Sequence, residues 1–199
     1  MNELKSCTLC PRKCGVNRYK ETGVCGANDK IKVAYYHLHM WEEPIISGDK
    51  GSGTIFFSYC NLKCIFCQNY KISTKGYGRE ITEERLQELC LELQEKGAHN
   101  INLVTPTHYV LQIVSSIHKI KGNELKIPIV YNTSSYENVS TIQMLRGIVD
   151  IYLADLKYFD DTLACNYSHC KDYFQYASLA IEEMVRQVAS FVICDGLMK

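Results

Sequence analysis

Apolar and polar positions along this chain follow two periods. Residues 54–58, TIFFS, form a β-branched and aromatic run bounded by the GSG of residues 51–53, which predicts a buried strand. Further on the period becomes helical. Thr82 is a good N-cap, Glu83 and Glu84 suit a first turn, and Leu86, Leu89, Cys90 and Leu93 recur on one face until Gly97. Cys90 therefore reads as packing. Strands are predicted at residues 100–104, 127–131 and 148–156. The intervening helices are marked by Val110, Ile113, Val114 and Ile117 and by residues 139–146, and a longer helix follows at residues 177–188. Strands alternating with helices predict an α/β fold with a parallel sheet. Upstream, residues 31–41 also read as extended, and period two puts Tyr35, His37, His39 and Trp41 on one face. Two readings of the imidazole pair stand: ligands or substrate contacts, or side chains satisfied by their neighbours. The EEPIISG that follows reads as a polar turn.

Composition narrows the class. With 46% hydrophobic and 22% charged residues in 199, the chain has the makings of one sizeable globular core, or of one core plus a small appendage, rather than disorder. Its 22 basic and 22 acidic residues balance, so no overall field favours nucleic acid or a membrane surface. No apolar leader opens the sequence, and no run reaches the length of a membrane span. The 11 cysteines are odd in number and sit at metal-ligand spacings, which argues for a reduced, cytoplasmic setting rather than a disulfide framework.

Those cysteines fall into two groups. Cys60, Cys64 and Cys67 form CxxxCxxC directly after the run at residues 54–58. Thiolates are soft ligands suited to iron–sulfur clusters, copper(I) or zinc. An iron–sulfur cube normally takes four protein ligands, so three leave one corner open to a substrate or cofactor. Three ordinary buried thiols are the competing reading. Cys7, Cys10, Cys14 and Cys25 form C-x2-C-x3-C-x10-C among the turn formers Pro11, Gly15, Gly23 and Gly26. Such a segment has little apolar area, and zinc or an auxiliary cluster would explain how it folds, against four reduced thiols without a metal. Cys165, Cys170 and Cys194 have no assigned role.

In a parallel sheet, ligands collect beyond the C-terminal ends of the strands. Besides the cysteine loop, those ends carry Thr105 to His108, Asn132 to Ser135, and Asp155 to Lys157. Helix capping alone would account for Thr107 and Ser135, and a surface ion pair for Asp155 and Lys157.

Phe66 immediately precedes the last cysteine of CxxxCxxC. Together with CTLCPRKCGVNR (7–18), GSGTIFFSYCNLKCIFCQNYKIS (51–73), INLVTPTHY (101–109) and DIYLADLKY (150–158), this loop resembles the radical S-adenosylmethionine (SAM) superfamily, in the branch related to pyruvate formate-lyase activating enzyme. The resemblance runs from about Cys7 to the end of the chain. It implies a parallel-sheet partial (βα) barrel over residues 51–199, preceded by a Cys-rich segment and lead-in strand over residues 1–50. It also implies an oxidoreductase in which Cys60, Cys64 and Cys67 hold a 4Fe-4S cluster and SAM chelates the fourth iron. Reductive cleavage of SAM then yields a 5'-deoxyadenosyl radical, which in this branch activates a partner protein at a glycine. A low-potential donor such as flavodoxin or ferredoxin is implied. By position, Phe66 would lie near the adenine, Asn132 and Ser134 near the ribose hydroxyls, and Asp155 and Lys157 near the methionyl end. Where family members carry Gly-Gly-Glu for the SAM amino group this chain has VTPTH, so Thr105 or a loop carbonyl is the expected substitute. Relatives continue beyond residues 196–199, where a fifth strand should begin, so a truncated barrel or a covering subunit is expected. A non-catalytic iron–sulfur electron carrier or redox sensor, or an inactive fragment, are the alternatives.

Overall fold

The apolar run before the cysteines forms the middle of a six-stranded sheet. The structure, a computed structural model, describes residues 3–188 and 192–198. In chain order the sheet strands are β1 Ile31–His39, β2 Ser52–Phe57, β3 Arg79–Ile81, β4 Ile101–Val104, β5 Ile129–Thr133 and β6 Ile151–Ala154. They lie in the order β3-β1-β2-β4-β5-β6. From β2 to β6 every pairing is parallel, while β1 runs antiparallel to both β2 and β3. The helices are α1 Pro44–Ser47, α2 Tyr70–Ser73, α3 Glu83–Glu95, α4 Val110–Ile120, α5 Val139–Gln143, α6 Asp161–Ser168 and α7 Tyr173–Val188. This is the expected α/β architecture with a mostly parallel central sheet.

Register decides what each face does. Ile55 pairs with Leu103, and Leu103 with Tyr131, so these side chains share a face. That face is buried under Leu86, Leu89, Cys90 and Leu93 of α3, Ile113 and Ile117 of α4, Ile142 of α5 and Met184 of α7. Burying each large aliphatic side chain contributes about 1.5–3 kcal/mol. Thr82 caps α3 as its sequence predicts, its hydroxyl accepting the Arg85 N–H at 3.1 Å. Alternate residues, among them Phe56, Asn102, Val104 and Asn132, point to the other face. There Ile46 of α1 packs on Val130 and Ile151. Between β2 and β4 the backbones approach closely at Gly53, where an added Cβ would stand 2.8 Å from the Asn100 carbonyl.

Several boundaries differ from the sequence reading. The strand expected at 127–131 begins after Pro128, which has no N–H to donate and serves as acceptor for Ile101 N at 2.9 Å. The strand expected at 148–156 is the shorter β6, and α7 starts at Tyr173 rather than 177. The expected polar turn at EEPIISG contains α1, with Pro44 in its first turn and Ile46 fully buried. β3 was not foreseen, because three residues are too few to show a period. Where a fifth sheet strand was expected, a separate hairpin forms from β7 Ile193–Cys194 and β8 Leu197–Met198; Lys199 lies outside the described residues. Among the described residues no helix is long and apolar enough to cross a membrane.

The N-terminal segment is joined to the sheet's upper end mainly by polar bonds. Its own apolar cluster is small, Leu4, Cys7 and Leu9 with Val16 and Leu111 beside them. Asn138 donates to the Thr8 carbonyl at 2.7 Å and Thr141 to the Leu9 carbonyl at 2.6 Å. Arg18, fully buried, donates to the carbonyls of Asn28 and His108. A buried guanidinium is tolerable only with such acceptors in place.

Candidate active site

The cysteine loop leaves β2 through Tyr59, a non-glycine residue at φ 77°. That conformation costs on the order of 1–3 kcal/mol and persists only where surroundings enforce it. Here two glycines do so. A Cβ on Gly26 would meet the Tyr59 ring at 2.7 Å and one on Gly76 at 2.2 Å, so the ring lies where side chains at either position would stand. The Lys32 ammonium sits 5.2 Å from the ring's centre. Beyond Tyr59, the buried Asn61 donates to the Tyr136 carbonyl at 2.6 Å, and its own carbonyl accepts Arg12 Nε at 2.9 Å. Lys63 reaches the Cys25 carbonyl at 2.9 Å. The N-terminal segment thus braces the loop directly.

Each sulfur of this loop has a hydrogen-bonding partner. Cys60 Sγ accepts the Leu62 N–H at 3.4 Å, Cys64 Sγ accepts the Ser168 hydroxyl at 2.9 Å, and Cys67 Sγ lies 3.3 Å from the Ser73 hydroxyl. Burial pushes the Cys60 thiol up to about 12. Among the described residues no three His, Cys, Asp or Glu side chains are grouped to hold a single metal ion. In a cube each thiolate binds a separate iron, so convergence on one point is not required there. For one zinc at Cys7, Cys10, Cys14 and Cys25 it would be.

The three cysteines open onto a cavity of about 580 Å³, on the sheet face opposite the one covered by α3, α4, α5 and α7. Pockets for drug-sized ligands run to about 300–1,000 Å³. Phe66, Thr105, Asn132, Ser134, Asp155 and Lys157 all line it, so the structure brings every one of these residues beside Cys60, Cys64 and Cys67. Phe66 is 59% exposed, leaving its ring free for a ligand. Thr105 sits at φ 57° with its N–H on the Asn132 carbonyl at 2.9 Å. Asp155 and Lys157 form an ion pair of 2.6 Å at the cavity wall. His39 also lines the cavity, whereas His37 stacks on Phe56 at 5.7 Å, and burial pushes its imidazole below the usual range.

Capping does not explain Thr107 or Ser135. The Thr107 hydroxyl donates to Glu137 at 2.6 Å, and Ser135 lies at φ 60° with its hydroxyl unpartnered. Four residues without an assigned task in the sequence organise this end of the sheet. Glu137, fully buried, accepts from Thr107, Tyr131 and Thr133 on one oxygen; burial pushes its carboxyl up to about 7 against those three donors. His108 Nε2 donates to the Ser58 carbonyl at 2.7 Å, tying the loop after β4 to the end of β2. Tyr173 accepts the Lys157 N–H at 2.8 Å and directs its hydroxyl between the carbonyls of Ser134 and Asp155, at 2.7 and 3.0 Å. Glu42 enters the cavity from the turn after β1. His108 lay in a strand-end loop that the sequence singles out; the other three sit in no recognisable spacing, and only their polar character was available as a signal.

A strand-end cavity with three thiols on its first loop is consistent with an iron–sulfur cluster beside a small organic ligand. Residues 54–176 match the family described as the radical SAM superfamily, and the chain belongs to it. An uncharacterized protein of Methanocaldococcus jannaschii is 34% identical over 184 residues, covering 87% of this chain and 52% of that relative. The chain therefore spans about half the length of the relative. Membership implies a 4Fe-4S cluster and SAM. The residues present fit both: three soft donors, each with a hydrogen-bonding partner, beside a cavity walled by an aromatic, amides, hydroxyls and one ion pair. Donors to thiolate sulfur raise a cluster's potential by offsetting negative charge. Ser168→Ala and Ser73→Ala are accordingly expected to lower it by tens of millivolts in a spectroelectrochemical titration. Unchanged values in both would show that neither hydroxyl acts on the cluster.

Proposed function

We propose that this protein is a radical SAM enzyme of the pyruvate formate-lyase activating type, an oxidoreductase that installs a radical on a glycine of a partner protein. The observation that carries it is the gathering of Cys60, Cys64 and Cys67 with Phe66, Asn132, Ser134, Asp155 and Lys157 around one cavity. When bound, the cluster and SAM would supply reductive sulfonium cleavage and hydrogen-atom abstraction. The chain's residues supply position and enclosure. Phe66 offers a face to an adenine, Asn132 and Ser134 offer hydrogen bonds to ribose hydroxyls, and Lys157 offers a cation to a carboxylate. Thr105 lines the same cavity and is the residue expected to meet the amino group. Tyr173 holds the Ser134 and Asp155 carbonyls in one arrangement, so both strand ends keep their spacing before a ligand arrives.

The activating-enzyme branch rests on the likeness of the cysteine loop and its flanks. With it go a partial barrel over residues 51–199, a Cys-rich lead-in over residues 1–50, a reducing cytoplasmic setting, and a flavodoxin- or ferredoxin-like donor. An auxiliary cluster on Cys7, Cys10, Cys14 and Cys25 belongs to the same proposal, in preference to a single zinc, since no three ligands are grouped for one ion among the described residues. Its support is that the sulfurs of Cys14 and Cys25 both lie 3.4 Å from where a Gly23 Cβ would stand, with the Ala27 N–H on Cys25 Sγ at 3.4 Å.

The test is direct. A full-length protein, reconstituted anaerobically and given a low-potential reductant, is expected to release 5'-deoxyadenosine from SAM. An intact cluster that leaves SAM uncleaved, with a spectrum SAM does not perturb, would instead identify an electron carrier.

A further inference from the structure

The cysteine loop has an outer side as well as a cavity side. Cys64 and Phe66 line the cavity, but Ile65 between them does not, and it is 66% exposed. Its N–H donates to the Tyr167 carbonyl at 2.9 Å, and the Lys63 N–H to the Ser168 carbonyl at 3.3 Å, so the last turn of α6 lies along the loop. Leu163 and Tyr167, one helical turn apart on α6, are 46% and 45% exposed, because this helix buries only Ala164 and Ser168. Ile65, Tyr167 and Leu163 therefore follow one another along the outer side.

Basic residues gather at the same end of α6. Arg12 donates to the carbonyls of Ser168 and His169, Lys13 to the Tyr176 hydroxyl at 3.1 Å, and Lys63 to the Cys25 carbonyl at 2.9 Å. Lys171, just past the His169 cap, is exposed. None of these four cations has a carboxylate partner among the described residues. Asp172, beside Lys171, is engaged by the Tyr136 hydroxyl at 2.7 Å, and Asp160 caps the opposite end of the helix. In a chain whose 22 basic and 22 acidic residues balance, this is a local positive field.

An apolar centre with a charged rim is the anatomy of a docking surface, and three apolar side chains suit a small, transient encounter rather than a permanent subunit contact. Its position indicates the partner. Ile65 is bonded to Cys64, and Tyr167 to Ser168, whose hydroxyl donates to Cys64 Sγ at 2.9 Å. A partner seated here stands one residue from a cysteine of the cavity without closing the cavity itself.

We propose that this face receives a small acidic electron-carrier protein. Ile65, Leu163 and Tyr167 make the apolar contact, Arg12, Lys13, Lys63 and Lys171 draw the carrier's carboxylates, and the electron enters by way of Cys64. This rests on Cys60, Cys64 and Cys67 holding the cluster. With a flavodoxin as donor, the anionic flavin hydroquinone gives up one electron to become the neutral semiquinone, and the oxidised cluster gains it.

The test is the rate at which the cluster of the reconstituted full-length holoprotein is reduced, read from its visible absorbance. Reduced flavodoxin is the donor in one series, and photoreduced 5-deazariboflavin, small and uncharged, in the other. In the wild type the flavodoxin rate is expected to fall as ionic strength rises, while the deazaflavin rate stays level. Lys171→Glu combined with Leu163→Glu, both at exposed side chains, should slow flavodoxin by about tenfold or more and flatten its salt dependence, leaving deazaflavin at the wild-type rate. Lys171→Glu alone should give a smaller loss in the same direction, and Lys171→Arg none. A double variant that flavodoxin reduces at the wild-type rate overturns the proposal. So does a wild type reduced by deazaflavin but not by flavodoxin. A double variant with a lowered melting temperature and an unchanged flavodoxin rate assigns the face to another part of the full-length protein and overturns it likewise. A wild type that assembles no cluster overturns the proposed function, and this inference with it.

Discussion

Replacing Cys60, Cys64 and Cys67 together by alanine is expected to remove the cavity's iron and sulfide and to bring 5'-deoxyadenosine formation to background. The three sulfurs are the soft donors on the cavity wall, and no His, Asp or Glu is grouped with them among the described residues to take over a site. The fold should survive, since Asn61, Lys63 and Tyr59 fix the loop through contacts that do not involve sulfur. Iron, zinc and sulfide are to be measured beside wild type, with circular dichroism as the control for folding. The N-terminal thiols are untouched in this variant. Metal retained by it would therefore mark Cys7, Cys10, Cys14 and Cys25 as the second site, whereas complete loss of metal would leave them as reduced thiols. Iron at wild-type level would remove the basis of the proposed function.

The second large effect lies in two buried titrations that oppose each other. Glu137, raised from 4.5 to about 7, holds its proton more tightly in the fold than in the unfolded chain. Its contribution to stability is therefore present at low pH and lost as pH rises through that interval. His108 behaves in the opposite sense. Burial is the chief cause of its fall from 6.5 to about 3, so the fold keeps it neutral and loses stability as pH falls below 6.5. Between pH 4.5 and 6.5 the two slopes cancel in large part. Glu137→Gln is expected to expose the histidine's slope, a loss on the order of 3 kcal/mol across those two pH units. His108→Gln should expose the reverse, with stability falling as pH rises. Urea melts of the apoprotein at several pH values would check both. Parallel slopes in the two variants would show that neither group is as enclosed as the geometry indicates.

Much of the fold was legible because its signals are local. The strand before the cysteines, the Thr82 cap and the α3 stripe each depend on neighbours within a few residues, and a two- or four-residue period survives in the sequence alone. The cavity-lining residues after β4, β5 and β6 were found by a topological rule, not by their chemistry: strands that run parallel bring their C-terminal loops together. What escaped depends on distance. Nothing in EEPIISG signals that Glu42 will meet Asn102 and Asn132, and nothing around Glu137 shows that three hydroxyls will converge on it. Thr107 and Ser135 looked like caps because capping is the commonest local use of a hydroxyl. The long-range acceptor that claims Thr107 is visible only once β5 lies beside β4.

The confinement of Tyr59 bears on how this protein would tolerate change. Neither Gly26 nor Gly76 lines the cavity, and both belong to flexible-looking, turn-rich stretches where substitution would be expected to pass unnoticed. Yet any side chain there would occupy space the tyrosine ring fills, at two positions whose φ of 100° and 62° already disfavour one, and a displaced ring would disturb the residue next to the first of the three thiols. In a saturation scan scored by metal content, these two positions should be as intolerant as the ligands themselves. A map of deleterious substitutions would thus overstate the size of the chemical centre unless the wedge is separated from it.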